Sequence, residues 1–154
     1  MSVDASRPRL PGAVLFACNF NRVRSPMAEA LLKRAMGDRI YVDSCGLRRA
    51  AEAEAGEGAD PFVQAVMAEI SVDLARHEPK TFEDLTDSSF DLVISLTPQA
   101  QHRAVEMTRG RAAEIEYWPT FDPTLAEGSR EARLAAYRDV RDMLARKIAE
   151  RFPR

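Results

Sequence analysis

The amino-acid sequence predicts one α/β domain in which helices cover both faces of a parallel β-sheet. Apolar runs of strand length alternate with segments whose apolar residues recur at helical spacing, as in consecutive β-α units. A capping residue precedes proline at Ser25-Pro26, Asp60-Pro61 and Thr97-Pro98, and each pair marks a predicted helix start. The length of 154 residues fits a single domain with a sizeable core.

The first predicted β-α unit carries the most specific pattern in the chain. Its strand is the apolar run at residues 13–17, AVLFA, which is short enough to lie buried on both faces. Ser25 is predicted to cap the following helix, with Pro26 at the first helical position, where a missing N–H is no loss. The buried face of this helix is predicted to comprise Met27, Leu31, Leu32, Ala35 and Met36.

Strands and helices continue to alternate along the rest of the chain. Further strands are predicted at residues 40–42, 90–96 and 115–118. Further helices are predicted to begin at residues 61 and 98, and a last one to run from residue 129 to 152. Such an alternation places the helices on both sides of a parallel sheet.

Residues 1–9 and 47–59 are predicted to lack regular secondary structure. Residues 1–9 are polar and are expected to form a flexible N-terminal tail, which leaves residues 10–154 as the folded domain. Residues 47–59 are rich in Ala, Glu, Arg and Gly without an apolar stripe, and we predict a loop there.

Charge and cysteine content exclude several classes of protein. The formal net charge is -2 and the pI about 5.8, so the chain lacks the basic footprint of a nucleic-acid-binding protein. Its two cysteines, Cys18 and Cys45, form neither a zinc pattern nor a disulfide framework. The apolar runs are too short for a signal peptide or a membrane span. We therefore expect a cytoplasmic protein without metal, cofactor, nucleic-acid or membrane partner.

The segment between the first strand and its helix is predicted to bind an anion. Cys18 follows the strand, and five residues separate it from Arg24 at the helix start. Backbone N–H groups of such a loop and the helix N-terminus converge on one point, where phosphate-like groups bind. Arg24 adds a planar pair of donors, and the positive field favours the thiolate form of Cys18. The predicted phosphate-binding loop comprises Asn19, Phe20, Asn21, Arg22, Val23, Arg24 and Ser25.

This pattern, Cys-(x)5-Arg-Ser followed by Pro26-Met27-Ala28-Glu29, resembles the low-molecular-weight protein tyrosine phosphatases. The thioredoxin-coupled arsenate reductases share their fold and loop. The resemblance implies a four-stranded parallel sheet of order 2-1-3-4, with helices on both faces and the loop after strand 1. It also implies that Cys18 is the nucleophile of a phosphocysteine intermediate and that Arg24 binds the substrate phosphate.

Asp122 is the candidate general acid. In the first step, attack by sulfur on a phosphomonoester expels an alkoxide or phenoxide, and a carboxylic acid must protonate this leaving oxygen. In the second step, a carboxylate must take a proton from the attacking water. Asp122-Pro123 follows the fourth strand and matches the family's general-acid Asp-Pro, although Asp-Pro also marks ordinary turns. Ser44 and Asp122, like Cys18, lie just beyond predicted strand ends, where parallel sheets bind ligands.

A second set of residues is expected to support the loop. A tight anion loop needs a residue that tolerates positive φ, which Asn does better than most. The family holds this loop by hydrogen bonds among an asparagine, two serines and a histidine. By resemblance these are Asn21, Ser25, Ser44 and His77.

The chain departs from the family pattern at several positions around the expected cleft. Phe20 stands where the family usually has glycine, and Arg22 replaces an apolar residue, which favours acidic or multiply anionic substrates. Val23 replaces a second loop cysteine, so a disulfide within the loop is excluded. Thr124-Leu125 follow the Asp-Pro pair in place of the tyrosines that often line the phosphotyrosine cleft, which leaves Trp118, Phe121 or Phe20 to supply that wall.

The sequence is compatible with three functions. The first is a metal-independent phosphatase whose partner is a phosphorylated protein or a small aryl phosphate. The second is arsenate reduction in the same loop, but the family's reductases carry two further cysteines in the segment corresponding to residues 80–95, which here has none. The third is a non-catalytic phosphate-binding regulatory module, which does not account for a nucleophile, an anion site and an acid together.

Overall fold

A computed structural model describes residues 10–51, 58–86 and 89–153 of the chain. Four parallel strands form one sheet in the order β2-β1-β3-β4, which confirms the predicted architecture. The flexible tail predicted at residues 1–9 lies outside the described residues.

The sheet places the end of β1 at its centre. The strands are β1 Ala13–Cys18, β2 Tyr41–Gly46, β3 Leu92–Ser95 and β4 Glu114–Tyr117. β1 pairs with β2 at one edge and with β3 at the other, and side chains of the helices pack on both of its faces, so residues 14–18 are buried, as the apolar run predicts. The strand order reverses at β1, and this is the position where open parallel sheets form a ligand crevice.

Within the described residues, four α-helices cover the two faces of the sheet. They are α1 Arg24–Met36, α2 Pro61–Ala68, α3 Pro98–Thr108 and α4 Arg130–Arg151. Buried residues of α1, α2 and α4 pack on the face that carries Phe16 and Cys18, whereas α3 packs on the face that carries Leu15 and Ala17. Among the described helices, none is long and apolar enough to cross a membrane.

Side-chain caps occur at three of these four helices, and those at Asp60 and Thr97 were predicted. The side chains of Asp60, Thr97 and Ser129 accept hydrogen bonds from backbone N–H groups of the first turns of α2, α3 and α4. The predicted cap at Ser25 is wrong, because α1 begins at Arg24 with Val23 before it and has no side-chain cap. Pro26 is therefore the third helical residue, still in the first turn, where its missing N–H breaks no bond.

Three strands differ from their predicted bounds by one or two residues, whereas β2 extends four residues beyond its predicted end at residue 42. Because β2 stays paired with β1 as far as Gly46, Ser44 lies inside this strand and not beyond its end. Within the predicted loop at residues 47–59, the described residues form neither helix nor strand, and residues 52–57 lie outside the described part of the chain.

Candidate active site

Cys18 is the last residue of β1, and its thiol faces the hydroxyl of the first turn of α1. Sγ of Cys18 lies 2.9 Å from Oγ of Ser25, and both residues are buried. Cys18 also lines an open cleft, so a ligand in that cleft reaches the sulfur. The hydroxyl that was predicted to cap the helix is used by the cysteine instead.

Asn21 holds the loop between Cys18 and α1 from inside. It is fully buried and has φ of 56°, the left-handed conformation expected of an asparagine here. Its amide nitrogen donates to Oγ of Ser25 and to Oγ of Ser44, both at 2.8 Å. The backbone N–H of Lys80 donates to Oδ1 of Asn21 at 3.0 Å, which orients the amide group.

His77 completes the set that was predicted to support the loop. Its Nε2 lies 2.8 Å from the backbone carbonyl oxygen of Asn21. The structure thus brings Asn21, Ser25, Ser44 and His77 together around the loop, with Asn21 in contact with the other three.

Glu29 sets the direction of the hydrogen bonds in this network, a role that the sequence did not predict. The hydroxyl of Ser44 donates to Oε1 of Glu29, so its oxygen is left to accept from Asn21. Both amide hydrogens of Asn21 are then used, and Ser25 accepts one of them. The hydroxyl hydrogen of Ser25 is left with two acceptors, the sulfur of Cys18 at 2.9 Å and the backbone oxygen of Cys45 at 3.4 Å.

Gly46 allows the loop to lie directly against the end of β2. A Cβ atom at Gly46 would lie 2.8 Å from the Asn21 nitrogen, 2.8 Å from the Phe20 carbonyl carbon and 2.9 Å from the Asn19 oxygen. The backbone N–H groups of Leu47 and Arg48 donate to that Asn19 oxygen at 2.8 and 3.1 Å. The loop backbone is thus held by the residues at the end of β2 as well as by the buried side chain of Asn21.

Arg24 connects the loop to the segment that carries Asp122. One terminal nitrogen, Nη1, donates to the backbone oxygen of Thr120 at 3.0 Å, and Nη2 lies 3.9 Å from Oδ2 of Asp122. The backbone N–H of Thr120 donates in turn to the oxygen of Leu96, just beyond β3. Asp122, which is distant in sequence, therefore lines one cleft with Cys18 and Arg24.

This cleft has a volume of about 270 Å³, which suits a phosphate group with a small substituent.

The cleft contains a second carboxylate, that of Asp60, which the sequence identified only as a helix cap. The N–H of Asp60 donates to the backbone oxygen of Arg22, and its side chain caps α2 and receives a 3.5 Å contact from the hydroxyl of Tyr137. Burial, and then the nearby charges of Asp60 and Asp122, raise the pKa of Tyr137, so its hydroxyl stays a donor. The cleft is lined by Cys18, Phe20, Arg22, Val23, Arg24, Ala50, Asp60, Asp122 and Thr124.

Of the three aromatic residues considered for the wall of the cleft, Phe20 lines it. Trp118 is buried away from it, with its ring centre 6.0 Å from that of Phe16. Phe121 precedes Asp122, but 59% of it is exposed to solvent and it does not line the cleft.

Cys45 lies on the other face of the sheet from Cys18. It pairs with Ala17 in the register of β1 and β2 and packs in the cluster under α3, whereas Cys18 packs on the side of α1. Both thiols are free. Burial raises the pKa of the Cys45 thiol, with smaller contributions from Cys18 and Asp43, so it stays protonated.

Within the described part of the chain, no three His, Cys, Asp or Glu side chains converge to hold a metal ion.

Comparison with known proteins identifies relatives of two kinds. The family model described as low molecular weight phosphotyrosine protein phosphatase matches residues 13–150. A low molecular weight protein-tyrosine-phosphatase of Streptomyces coelicolor is 35% identical over 127 residues, covering 75% of this chain and 72% of that protein. An arsenate reductase of Halalkalibacterium halodurans is 30% identical over 135 residues, covering 88% and 91%. Among solved structures, an arsenate reductase in the phosphate binding state has a TM-score of 0.71 and 26% identity, covering 90% and 94%.

Proposed function

The chain belongs to the low molecular weight phosphotyrosine protein phosphatase family, and we propose that it hydrolyses phosphotyrosine-like phosphomonoesters through a phosphocysteine intermediate. The substrate that we assign is a phosphorylated protein or a small aryl phosphate, met in the cytoplasm, and the reaction uses no cofactor. One observation carries the proposal. A buried cysteine, whose sulfur lies 2.9 Å from the hydroxyl oxygen of Ser25, shares a small cleft with Arg24 and Asp122.

In the first step, the thiolate of Cys18 attacks phosphorus. An S–P bond forms and the bond from phosphorus to the leaving oxygen breaks, while Asp122 gives its proton to that oxygen. The N–H groups of residues 19–24 and the guanidinium of Arg24 bind the equatorial oxygens, where negative charge is spread in the transition state. We assign to the Ser25 hydroxyl, 2.9 Å from the sulfur, the role of donating a hydrogen bond to sulfur when it carries negative charge, both as nucleophile and as leaving group.

In the second step, water attacks the phosphocysteine. The now ionised Asp122 takes a proton from the water, an O–P bond forms, and the S–P bond breaks to restore the thiolate and release phosphate. Both steps need the same carboxylate at the mouth of the loop. The 3.9 Å separation between Nη2 of Arg24 and Oδ2 of Asp122 supports this assignment, because it leaves the acid beside the bound phosphoryl group.

Arsenate reduction is the second candidate, and similarity to the reductase of Halalkalibacterium halodurans favours it. Reduction of arsenate to arsenite takes two electrons, which thiols supply by forming a disulfide. Cys45 is the other cysteine of the sequence, and it lies on the opposite sheet face from Cys18. Because successive strand residues face opposite sides, the two thiols point away from each other. This arrangement favours the phosphatase.

The test compares turnover of phosphotyrosine, phosphoserine and arsenate with thioredoxin for the wild type, Cys18→Ser and Cys45→Ala. We expect phosphotyrosine to be hydrolysed by the wild type and by Cys45→Ala, and Cys18→Ser to be inactive. Because backbone N–H groups and Arg24 bind the anion, Cys18→Ser should still bind inorganic phosphate in a calorimeter. Hydrolysis by Cys18→Ser would remove Cys18 as nucleophile, and arsenate reduction that needs Cys45 would establish the alternative.

A further inference from the structure

Phe20 occupies an unusual place, because an aromatic side chain here projects from within the anion loop itself. Its ring lines the cleft together with Cys18, and 38% of the residue is exposed. The backbone on either side is fixed by the close approach of Gly46 and by the hydrogen bonds to the Asn19 oxygen. The position of the ring is therefore set by the loop that holds the phosphate.

Arg48 covers the ring of Phe20. The central carbon of its guanidinium lies 5.2 Å from the ring centre, a cation–π contact. The backbone N–H of Arg48 donates to the Asn19 oxygen at 3.1 Å, so the two residues are fixed to each other through the loop. Arg48 does not line the cleft, whereas Phe20 does, so the guanidinium covers the ring from outside the cleft.

The cleft has apolar as well as charged lining residues. Val23 and Ala50 join Phe20 as its apolar lining, beside the charged Arg24 and Asp122. A ligand whose phosphate is held by the loop therefore meets apolar side chains with its substituent. The segment that follows Asp122 offers no ring there, because Thr124 and Leu125 succeed Pro123.

We propose that Phe20, held by Arg48, is the aromatic wall against which this protein binds the ring of an aryl phosphate. The inference rests on the proposed function, since it concerns the leaving group of the same reaction. An offset or edge-on contact between two rings contributes beyond simple burial. Aryl phosphates are then selected over alkyl phosphates by the loop itself and not by the acid segment.

The experiment measures the affinities of phenylphosphonate and methylphosphonate by calorimetry. Both carry the anion, but only the first carries a ring, so the ratio of their affinities isolates the wall from the anion loop. The wild type should bind phenylphosphonate more tightly. Phe20→Leu, which keeps apolar bulk without the ring, should lower the ratio by roughly 2- to 10-fold. Phe20→Tyr should preserve it, which also shows that the position tolerates substitution.

Phe121→Leu is the matched control, because it removes a ring beside Asp122 that does not line the cleft. It should leave the ratio unchanged. An unchanged ratio in Phe20→Leu, or an equal loss in Phe121→Leu, would overturn the inference while the phosphatase proposal stands. Failure of the wild type to bind either phosphonate would instead remove the anion site and with it the proposed function.

Discussion

Thr124 donates both its hydroxyl and its backbone N–H to the same carboxylate oxygen of Asp122, Oδ1, at 2.6 and 3.0 Å. The other oxygen, Oδ2, is the one that lies 3.9 Å from Nη2 of Arg24. Because Oδ1 already accepts two hydrogen bonds, a proton on this carboxyl group is carried by Oδ2. Thr124 therefore directs the proton of the proposed acid toward Arg24 and the bound phosphoryl group.

Removing the Thr124 hydroxyl should slow the cleavage of poor leaving groups. Thr124→Val removes the shorter of the two hydrogen bonds that orient the Asp122 carboxyl group, so kcat/KM for phosphotyrosine should fall by roughly 2- to 10-fold. Thr124→Ser keeps the hydroxyl and should behave as the wild type. Identical kcat/KM values for Thr124→Val and the wild type would show that this hydroxyl does not act on the acid.

Gly46→Ala should damage phosphate binding without touching a catalytic side chain. The added Cβ would lie within 3.0 Å of three backbone atoms of the loop, and backbone cannot rotate away as a side chain does. We expect a loss of affinity for inorganic phosphate of roughly 5- to 150-fold, since overpacking costs on the order of 1–3 kcal/mol. Gly110→Ala is the control, because a Cβ there meets nothing within 4 Å. Its positive φ makes it less stable, but its phosphate affinity should be that of the wild type. Equal affinities in both variants would contradict the close fit.

The first β-α unit could be predicted from sequence because the residues that define it are neighbours in the chain. Cys18, Arg24 and the strand before them are contiguous, and the burial of residues 14–18 follows from their composition. The order of the strands came from resemblance to a family, since periodicity does not say which strands pair. The proposed roles of the loop residues and of Asp122 stay predictions that the experiments above test.

What the sequence did not predict depends on contacts between distant elements. Glu29 reaches Ser44 from another element, and Asp60 joins the cleft through the backbone of Arg22. The cap at Ser25 was predicted wrongly for the same reason. Residue type and spacing fitted a cap, but the buried partners Cys18 and Asn21 use that hydroxyl in the folded chain.

The two thiols should differ in reactivity. Cys18 lines the cleft, whereas Cys45 is fully buried under α3 and its pKa is raised. A thiol-reactive probe should therefore modify one cysteine in the native protein, more slowly when phosphate is bound, and two after denaturation.

Mild peroxide should oxidise Cys18 to the sulfenic acid and then irreversibly to higher oxidation states. Cys45 faces the other side of the sheet, so it cannot form a disulfide that would protect the sulfenic acid. Mass spectrometry with and without thiol treatment checks this, and a stable disulfide between Cys18 and Cys45 would contradict it.

The assignment of Asp122 as general acid makes a prediction about leaving groups. If Asp122 protonates the leaving oxygen, its importance depends on how much that oxygen needs a proton. A nitrophenolate leaves readily as an anion, whereas the phenolate of tyrosine, with a reference pKa of about 10, is a much poorer leaving group. Asp122→Asn keeps the shape of the side chain and removes the proton. Phosphotyrosine cleavage should then fall by about 10²–10⁴-fold, and cleavage of the activated ester by less.

The decisive measurement is the slope of log kcat/KM against the pKa of the leaving group over a series of aryl phosphates. This ratio reports the steps up to the first irreversible one, so the later hydrolysis of the phosphocysteine does not enter. For the wild type the slope should be shallow, because the acid neutralises the charge that develops on oxygen. For Asp122→Asn it should be steeply negative, since the leaving group bears that charge alone. Asp60→Asn is the matched control, because it neutralises the other carboxylate of the cleft and should keep the shallow slope. Equal slopes for the wild type and Asp122→Asn would show that Asp122 only forms a turn with Thr124.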